Sequence, residues 1–175
     1  MNNIKILAIS GSLSSRSSNA QVLQYLSQKA GEGVEFTLSD CIGKLPHFNP
    51  ELDSDPVPAA VQQFRDELKN ANAVLICTPE YAFGVPGALK NALDWIVSSG
   101  EFVNKPLALI TASLSGEKAQ AALLQTFTAL SANITPERTL LLSYIRSKLD
   151  TSGNFKNKED EEAVIKVFES LKNAV

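Results

Sequence analysis

The chain has 175 residues, of which 44% are hydrophobic and 20% are charged, and its formal net charge is −3. This length and composition predict one soluble globular domain, 1–175, able to bury about 70% of its unfolded surface. The small negative charge argues against a nucleic-acid or anionic-membrane partner, and two separated cysteines with one histidine argue against a zinc site or a disulfide framework. The apolar run near the start is too short for a signal sequence, so we expect a cytoplasmic protein.

Short apolar runs alternate with helical patterns along the chain, and they predict five strands and five helices. In chain order these are a strand at 4–9, a helix from Asn19 to Gly31, a strand at 34–38, a helix at 57–68, a strand at 73–78, a helix at 86–96, a strand at 107–111, a helix at 123–130, a strand at 139–142 and a helix at 164–171 with an acidic start at 159–162.

Strands that alternate with helices predict an α/β fold with a parallel sheet covered by helices on both faces. The compact arrangement is doubly wound, with strand order 2-1-3-4-5, and ligands then bind beyond the carboxyl ends of strands 1 and 3. The loops at that edge are 10–18, 79–86 and 112–117, which are also the loops of unusual composition. We therefore expect the functional site where these loops converge.

The first of these loops is rich in serine and leads from a strand directly into a helix. A helix start offers unpaired N–H groups and positive potential, which suit a phosphate, and Gly11 allows a tight turn. The spacing matches neither GxxxxGK[ST] nor GxGxxG, which argues against a nucleoside triphosphate and the usual dinucleotide turn. The alternative is simple helix capping. The candidate phosphate ligands are Ser10, Ser12, Ser14, Arg16, Ser17, Ser18 and Asn19.

Four segments resemble the NADPH-dependent FMN reductase family, which includes quinone and chromate reductases. They are GSLSSRSSN (11–19), LPHFNPELD (45–53), TPEYAFGVPGALKNALDW (78–95) and FVNKPLALIT (102–111). The resemblance implies a flavodoxin-like fold, FMN as cofactor, NADPH or NADH as co-substrate, and a homodimer or homotetramer. It also implies that the flavin ring rests on the second loop and is contacted by the third. The implied contacts are Pro79, Glu80, Tyr81, Ala82, Phe83 and Ser113.

Two positions depart from the family pattern. Ala82 stands where the family often has Asn, so we expect a side-chain amide to be lost there. Ser14 stands where many members have Arg, and Arg16 lies two residues later. Tyr81 and Phe83 keep flat apolar area on which a flavin ring can stack.

These features favour an FMN-dependent oxidoreductase that takes hydride from NADPH or NADH and passes electrons to a small-molecule acceptor. Quinones, azo compounds, chromate and free flavin are all candidate acceptors. Because the flavin supplies the chemistry, no catalytic side chain and no metal are predicted. Two alternatives stay open: a non-enzymatic electron carrier or flavin-binding module, and a flavin-free enzyme that acts on a phosphorylated ligand.

Five other residues have side chains of types that often occur in active sites, but we expect no role in catalysis for them. His47 lies between prolines and is expected to face solvent. Lys90 and Asp94, four residues apart on a helix, are expected to form a surface ion pair or a subunit contact. Trp95 is also expected at a subunit contact, because the resemblance implies a dimer interface in this region. Cys77 is expected to be a small core residue.

Overall fold

The computed structural model describes residues 3–175. Met1 and Asn2, which the predicted domain includes, lie outside the described part. Five strands form one sheet, and each lies where the sequence predicted it, with ends that differ by at most two residues. They are β1 (Ile4–Ser10), β2 (Val34–Ser39), β3 (Ala73–Thr78), β4 (Leu107–Ser113) and β5 (Thr139–Ser143).

The strand order is β2-β1-β3-β4-β5 and every pairing is parallel, which confirms the predicted topology. Every residue of β3 and β4 is buried, as expected for central strands covered on both faces. Ser10 pairs with Cys77 and Thr78 pairs with Thr111, so the carboxyl ends of β1, β3 and β4 meet at one edge. The loops that leave these strands are therefore neighbours.

Helices cover both faces of the sheet. On one face, the core contains Leu23 and Phe168, and on the other it contains Phe64, Leu93 and Phe127. Full burial of side chains of this size stabilises the fold by about 1.5–3 kcal/mol each. The helices are α1 (Ser18–Gln28), α2 (Ala59–Asn70), α3 (Gly87–Asp94), α4 (Glu117–Ala129), α5 (Ile145–Lys148) and α6 (Lys158–Lys172).

The predicted count of five helices is wrong, because α5 is an additional helix. It is a single turn of four residues, too short for helical periodicity to show in the sequence. Ile145 and Leu149 anchor this turn in the core beside α6. The predicted end of the first helix at Gly31 is also late: α1 ends at Gln28, and Gly31 adopts a left-handed conformation (φ 78°) in the turn to β2.

Trp95 lies in the interior of the protomer, so the prediction that it forms a subunit contact is wrong. Its side chain is completely buried and its indole N–H donates to the Pro46 carbonyl at 2.8 Å. Phe48 packs edge-on against the indole, with ring centroids 5.1 Å apart. The loop after β2 thus covers Trp95, a contact between distant parts of the chain that helical periodicity does not reveal.

The remaining interpretations agree with the structure. Lys90 and Asp94 form a partly exposed ion pair at 2.5 Å, His47 is exposed and Cys77 is fully buried. Across residues 3–175, no helix combines the length and the apolar character that a membrane crossing requires.

Candidate functional site

A cleft of about 800 Å³ opens at the carboxyl edge of the sheet, between the start of α1 and the loops that follow β3, β4 and β5. Most of the predicted site residues line it, so the loops singled out by composition do converge. Those that line the cleft are Ser12, Arg16, Ser17, Ser18, Asn19, Pro79, Glu80, Tyr81 and Ser113. Four predicted residues do not line it: Ser10, Ser14, Ala82 and Phe83.

The start of α1 contributes backbone donors and hydroxyl groups to the cleft. Ser17 is the N-cap, and its Oγ accepts from the Ala20 N–H at 3.1 Å. Ser18 and Asn19 follow in the first turn, where backbone N–H groups have no partner within the helix and carry the positive end of its dipole. Arg16 is exposed beside them. Together these groups form a site for an anion such as phosphate.

Two of the predicted phosphate ligands stabilise the protein itself. Ser10 Oγ donates to the Ser12 carbonyl at 2.9 Å, which holds the turn after β1. The buried Asn19 side chain accepts from the Cys77 thiol at 3.3 Å, which ties α1 to β3. Sequence composition does not distinguish such internal partners from ligand donors, because both roles require the same polar groups.

Gly11 is required by a close approach between strands. A Cβ atom at this position would lie 2.1 Å from Thr78 Oγ1 and 2.6 Å from Thr78 Cβ. The Gly11 N–H donates to the Cys77 carbonyl at 2.8 Å, so the loop continues the hydrogen bonding of β1 with β3. The absence of a side chain at Gly11 thus lets the first loop lie directly beside the second.

The second loop contains a two-residue hairpin turn. The backbone N–H of Tyr81 donates to the Gly84 carbonyl at 3.0 Å, and the Gly84 N–H donates to the Tyr81 carbonyl at 2.9 Å. Between them Ala82 (φ 48°) and Phe83 (φ 59°) are both left-handed, as in a type I′ turn. Asn tolerates this conformation better than Ala does. An Asn at position 82, as the resemblance implies for many family members, would therefore suit the turn, whereas Ala82 itself does not line the cleft.

Replacing Ala82 with asparagine is expected to raise the free energy of unfolding by about 0.5–1 kcal/mol, because it relieves left-handed strain. Urea denaturation of both proteins measures this difference. Ala82→Val is the matched control and is expected to lower stability, since a β-branched residue is least compatible with a positive φ. Equal stability of the asparagine and valine variants would contradict the claim that the left-handed conformation at position 82 is strained.

The two aromatic residues of this loop have different environments. Tyr81 lines the cleft, and its hydroxyl lies 3.3 Å from Ser12 Oγ, so it joins the first and second loops. Phe83 is 79% exposed at the tip of the turn and does not line the cleft. Of these two residues, therefore, only Tyr81 provides the predicted aromatic surface against which a flavin ring could pack.

Ser113, at the end of β4, forms hydrogen bonds with the backbone of the second loop. Its Oγ accepts from the Glu80 N–H at 3.0 Å and lies 3.4 Å from the Glu80 carbonyl oxygen. The Glu80 carboxylate extends past Ser113 to the start of α4, where backbone N–H groups bind it. Ser113 and Glu80 together hold the second and third loops in one arrangement.

One side of the cleft was not predicted from the sequence, and it is provided by Tyr144 and the short helix α5. Tyr144 is 65% exposed and left-handed (φ 55°), and its N–H donates to the Leu114 carbonyl at 3.1 Å. Arg146 and Ser147 follow it along the cleft. Ligands were expected only beyond strands 1 and 3, so no site residue was predicted after β5. The sequence feature that could have indicated this side of the cleft is an aromatic residue and an arginine, Tyr144 and Arg146, shortly after the fifth strand.

One group of potential metal ligands occurs among residues 3–175, away from the cleft. Asp40, Cys41 and Glu67 have ligand atoms within 4.8 Å of one another. The Cys41 thiol donates to Glu67 at 2.9 Å, and Lys44 pairs with Asp40 at 2.6 Å. Burial and the hydrogen bond to Glu67 raise the pKa of Cys41 to about 11. The thiol is therefore protonated at neutral pH, and these contacts explain the cluster without a metal.

Comparison with known proteins assigns the chain to a family. The sequence model of the NADPH-dependent FMN reductase family matches residues 4–146 of the chain. The chain belongs to this family. The match includes β1–β5 and most of the residues that line the cleft.

Individual relatives cover nearly the whole chain. An NAD(P)H-dependent FMN reductase of Pseudomonas aeruginosa is 32% identical over 173 residues, which are 96% of this chain and 93% of the relative. A 2-hydroxy-1,4-benzoquinone reductase of a Burkholderia species is 32% identical over 171 residues, or 94% and 92% of the two chains. Among solved structures, the flavoenzyme NAD(P)H:acceptor oxidoreductase of Paracoccus denitrificans has a TM-score of 0.78 at 26% identity, covering 97% of this chain and 96% of that one.

Membership of this FMN reductase family confirms three predictions made from the sequence. The fold is flavodoxin-like, the protein is an oxidoreductase of the NAD(P)H-dependent flavin reductase type, and its cofactor is FMN. Neither alternative, the non-enzymatic carrier nor the flavin-free enzyme, is supported by these relatives.

Proposed function

We propose that residues 1–175 form one domain that binds FMN in the cleft, with the phosphate at the start of α1 and the ring beside Pro79, Tyr81 and Ser113. The observation that carries this proposal is the pairing, in one cleft, of unpaired helix N–H groups with an aromatic loop. The chemistry of the donors fits FMN, because N–H groups, hydroxyls and the Arg16 guanidinium suit a phosphate, whereas Tyr81 and the backbone of the second loop suit a flat ring.

Bound FMN would accept hydride from NADPH or NADH and pass electrons to an acceptor. The protein contributes position and electrostatics. The first turn of α1 anchors the phosphate end, Tyr81 packs against the ring, and Ser113 keeps the backbone of the second loop in place. None of these roles requires a side chain to donate or accept a proton.

We propose quinones as the acceptor class, ahead of azo compounds, chromate and free flavin. Three exposed apolar or aromatic side chains, which follow β3, β4 and β5, form an apolar part of the rim of the cleft. They are Tyr81, Leu114 and Tyr144. A flat apolar acceptor buries area against such a rim, whereas the chromate dianion gains nothing from it. Two relatives are named quinone reductase and 2-hydroxy-1,4-benzoquinone reductase, which supports this choice.

The test is spectroscopic and kinetic. The purified protein with added FMN is expected to show a bound-flavin absorbance spectrum that bleaches when NADPH or NADH is added without air and returns when a benzoquinone is added. Because both substrates reach the same cleft, they are expected to bind alternately and to give parallel double-reciprocal lines. Intersecting lines would contradict alternate binding, and a protein that neither binds FMN nor bleaches would overturn the proposed function.

Two further predictions, the oligomeric state from the family resemblance and the cytoplasmic location from the short apolar run near the start, stay predictions. We propose that two or four copies of the chain assemble, which light scattering on the purified protein measures. We also propose that the protein works in the cytoplasm, where NADPH and NADH are available. Fractionation of cells that produce the protein measures its location, and recovery outside the cytoplasmic fraction would contradict it.

A further inference from the structure

The Glu80 side chain makes contacts that family membership alone does not explain. One carboxylate oxygen, Oε2, accepts from the backbone N–H groups of Lys118 and Ala119, both at 2.9 Å. The other, Oε1, accepts from the Ser115 hydroxyl at 2.7 Å. Glu80 thus follows β3 in the chain yet binds the start of α4, about forty residues later in sequence.

These contacts make Glu80 a remote N-cap for α4. The first-turn N–H groups of a helix normally bind an oxygen of the N-cap side chain. The N-cap of α4 is Gly116, which has no side chain and is left-handed (φ 117°). A Cβ atom there would lie 2.7 Å from Leu141 Cδ1, so a larger capping residue does not fit. The carboxylate from the second loop satisfies the donors instead.

We infer that Glu80 is a positioning residue that holds the second loop against α4 and lowers the reduction potential of the bound cofactor by cancelling the positive end of that helix. This inference rests on the proposed function, because it places FMN in the cleft that Glu80 lines. The positioning part follows from three hydrogen bonds of the carboxylate, one with Ser115 and two with the first turn of α4.

The electrostatic part follows from the charge of the two partners. The start of a helix carries about half a positive charge, and a carboxylate bound to it neutralises that charge. Hydrogen bonds from the Ala119 backbone lower the pKa of Glu80, so the carboxylate is ionised at neutral pH. Reduction adds negative charge to a flavin, which positive potential at the cleft stabilises. With the carboxylate in place, the start of α4 provides less of that potential.

Glu80→Gln separates the two effects. The amide has the same size, its oxygen still accepts from Lys118 and Ala119, and its NH₂ group donates to Ser115, whose hydroxyl is able to accept as well. Only the charge is lost. Glu80→Ala removes the three side-chain hydrogen bonds as well, whereas the backbone contacts of residue 80 with Ser113 remain. Glu117→Gln is the matched control, because Glu117 is an exposed acid in the first turn of the same helix and lies outside the lining of the cleft.

The measurements are the midpoint potential of bound FMN, the FMN dissociation constant and the thermal stability of the protein without FMN. Glu80→Gln is expected to favour reduced over oxidised FMN by about tenfold, a rise of about 30 mV for a two-electron couple. Its affinity for oxidised FMN and the stability of its FMN-free form are expected to stay close to those of the wild type, so that the tenfold change falls on its affinity for reduced FMN. Glu80→Ala is expected to weaken FMN binding and to lower stability, whereas Glu117→Gln is expected to change the potential by less than about a third of that rise.

Each result decides a separate claim. Wild-type protein that does not bind FMN would overturn the proposed function. Wild-type protein that binds FMN, together with a Glu80→Gln potential that is unchanged or equal to that of Glu117→Gln, would overturn the electrostatic part of the inference. Unaltered FMN binding by Glu80→Ala would overturn the positioning part.

Discussion

Replacing Gly11 with alanine is expected to destabilise the protein by about 3 kcal/mol and to abolish FMN binding at micromolar protein. The added methyl group would lie 2.1 Å from Thr78 Oγ1 and 3.1 Å from Thr78 Cα, so a rotation of the threonine side chain does not relieve the overlap. The end of β1 must then move away from β3, which separates the first loop from the second. Urea denaturation measures the stability, and fluorescence quenching of FMN measures the binding.

Gly87→Ala is the matched control for this substitution. Gly87 is the first residue of α3, and no other group lies within 4 Å of a Cβ atom built there. Alanine favours a helix over glycine, so stability is expected to change by about 0.5 kcal/mol or less, or to rise. Equal losses of stability in both variants would show that the contact with Thr78 is not the reason for glycine at position 11.

Replacing Ser18 with aspartate is expected to weaken FMN binding at least about 100-fold and to raise the stability of the FMN-free protein by about 0.5 kcal/mol. Ser18 is the first residue of α1 and lines the cleft. A carboxylate there repels a phosphate but interacts favourably with the helix dipole. The two measurements therefore move in opposite directions, which general damage to the fold does not produce.

Riboflavin and a neutral variant provide the controls. Riboflavin has the same ring as FMN and no phosphate, so its affinity is expected to be nearly equal in the wild type and in Ser18→Asp. Ser18→Asn, which adds bulk without charge, is expected to change FMN affinity by less than about tenfold. An equal loss of FMN and riboflavin affinity would place the phosphate away from the start of α1.

The strands and their order were predictable because each depends on a local pattern. β3 is a continuous apolar run that ends at Pro79, and parallel sheets with helical crossovers have few compact arrangements. The two main loops were predictable because their composition is unusual for their position. The β5 side of the cleft was not predicted, since Arg146 lies in a single-turn helix capped by Tyr144, and a helix of four residues is too short for its periodicity to be detected.

The sequence by itself determined the sheet and three of the loops that line the cleft. Periodicity and composition are properties of neighbouring residues, and the sequence shows them directly. The tertiary structure decided which partner each side chain in and around those loops contacts. Trp95 is buried because the loop at Pro46 covers it, and Glu80 caps α4 because Gly116 has no side chain with which to do so. Both outcomes depend on contacts between residues distant in sequence, which form only when the chain is folded.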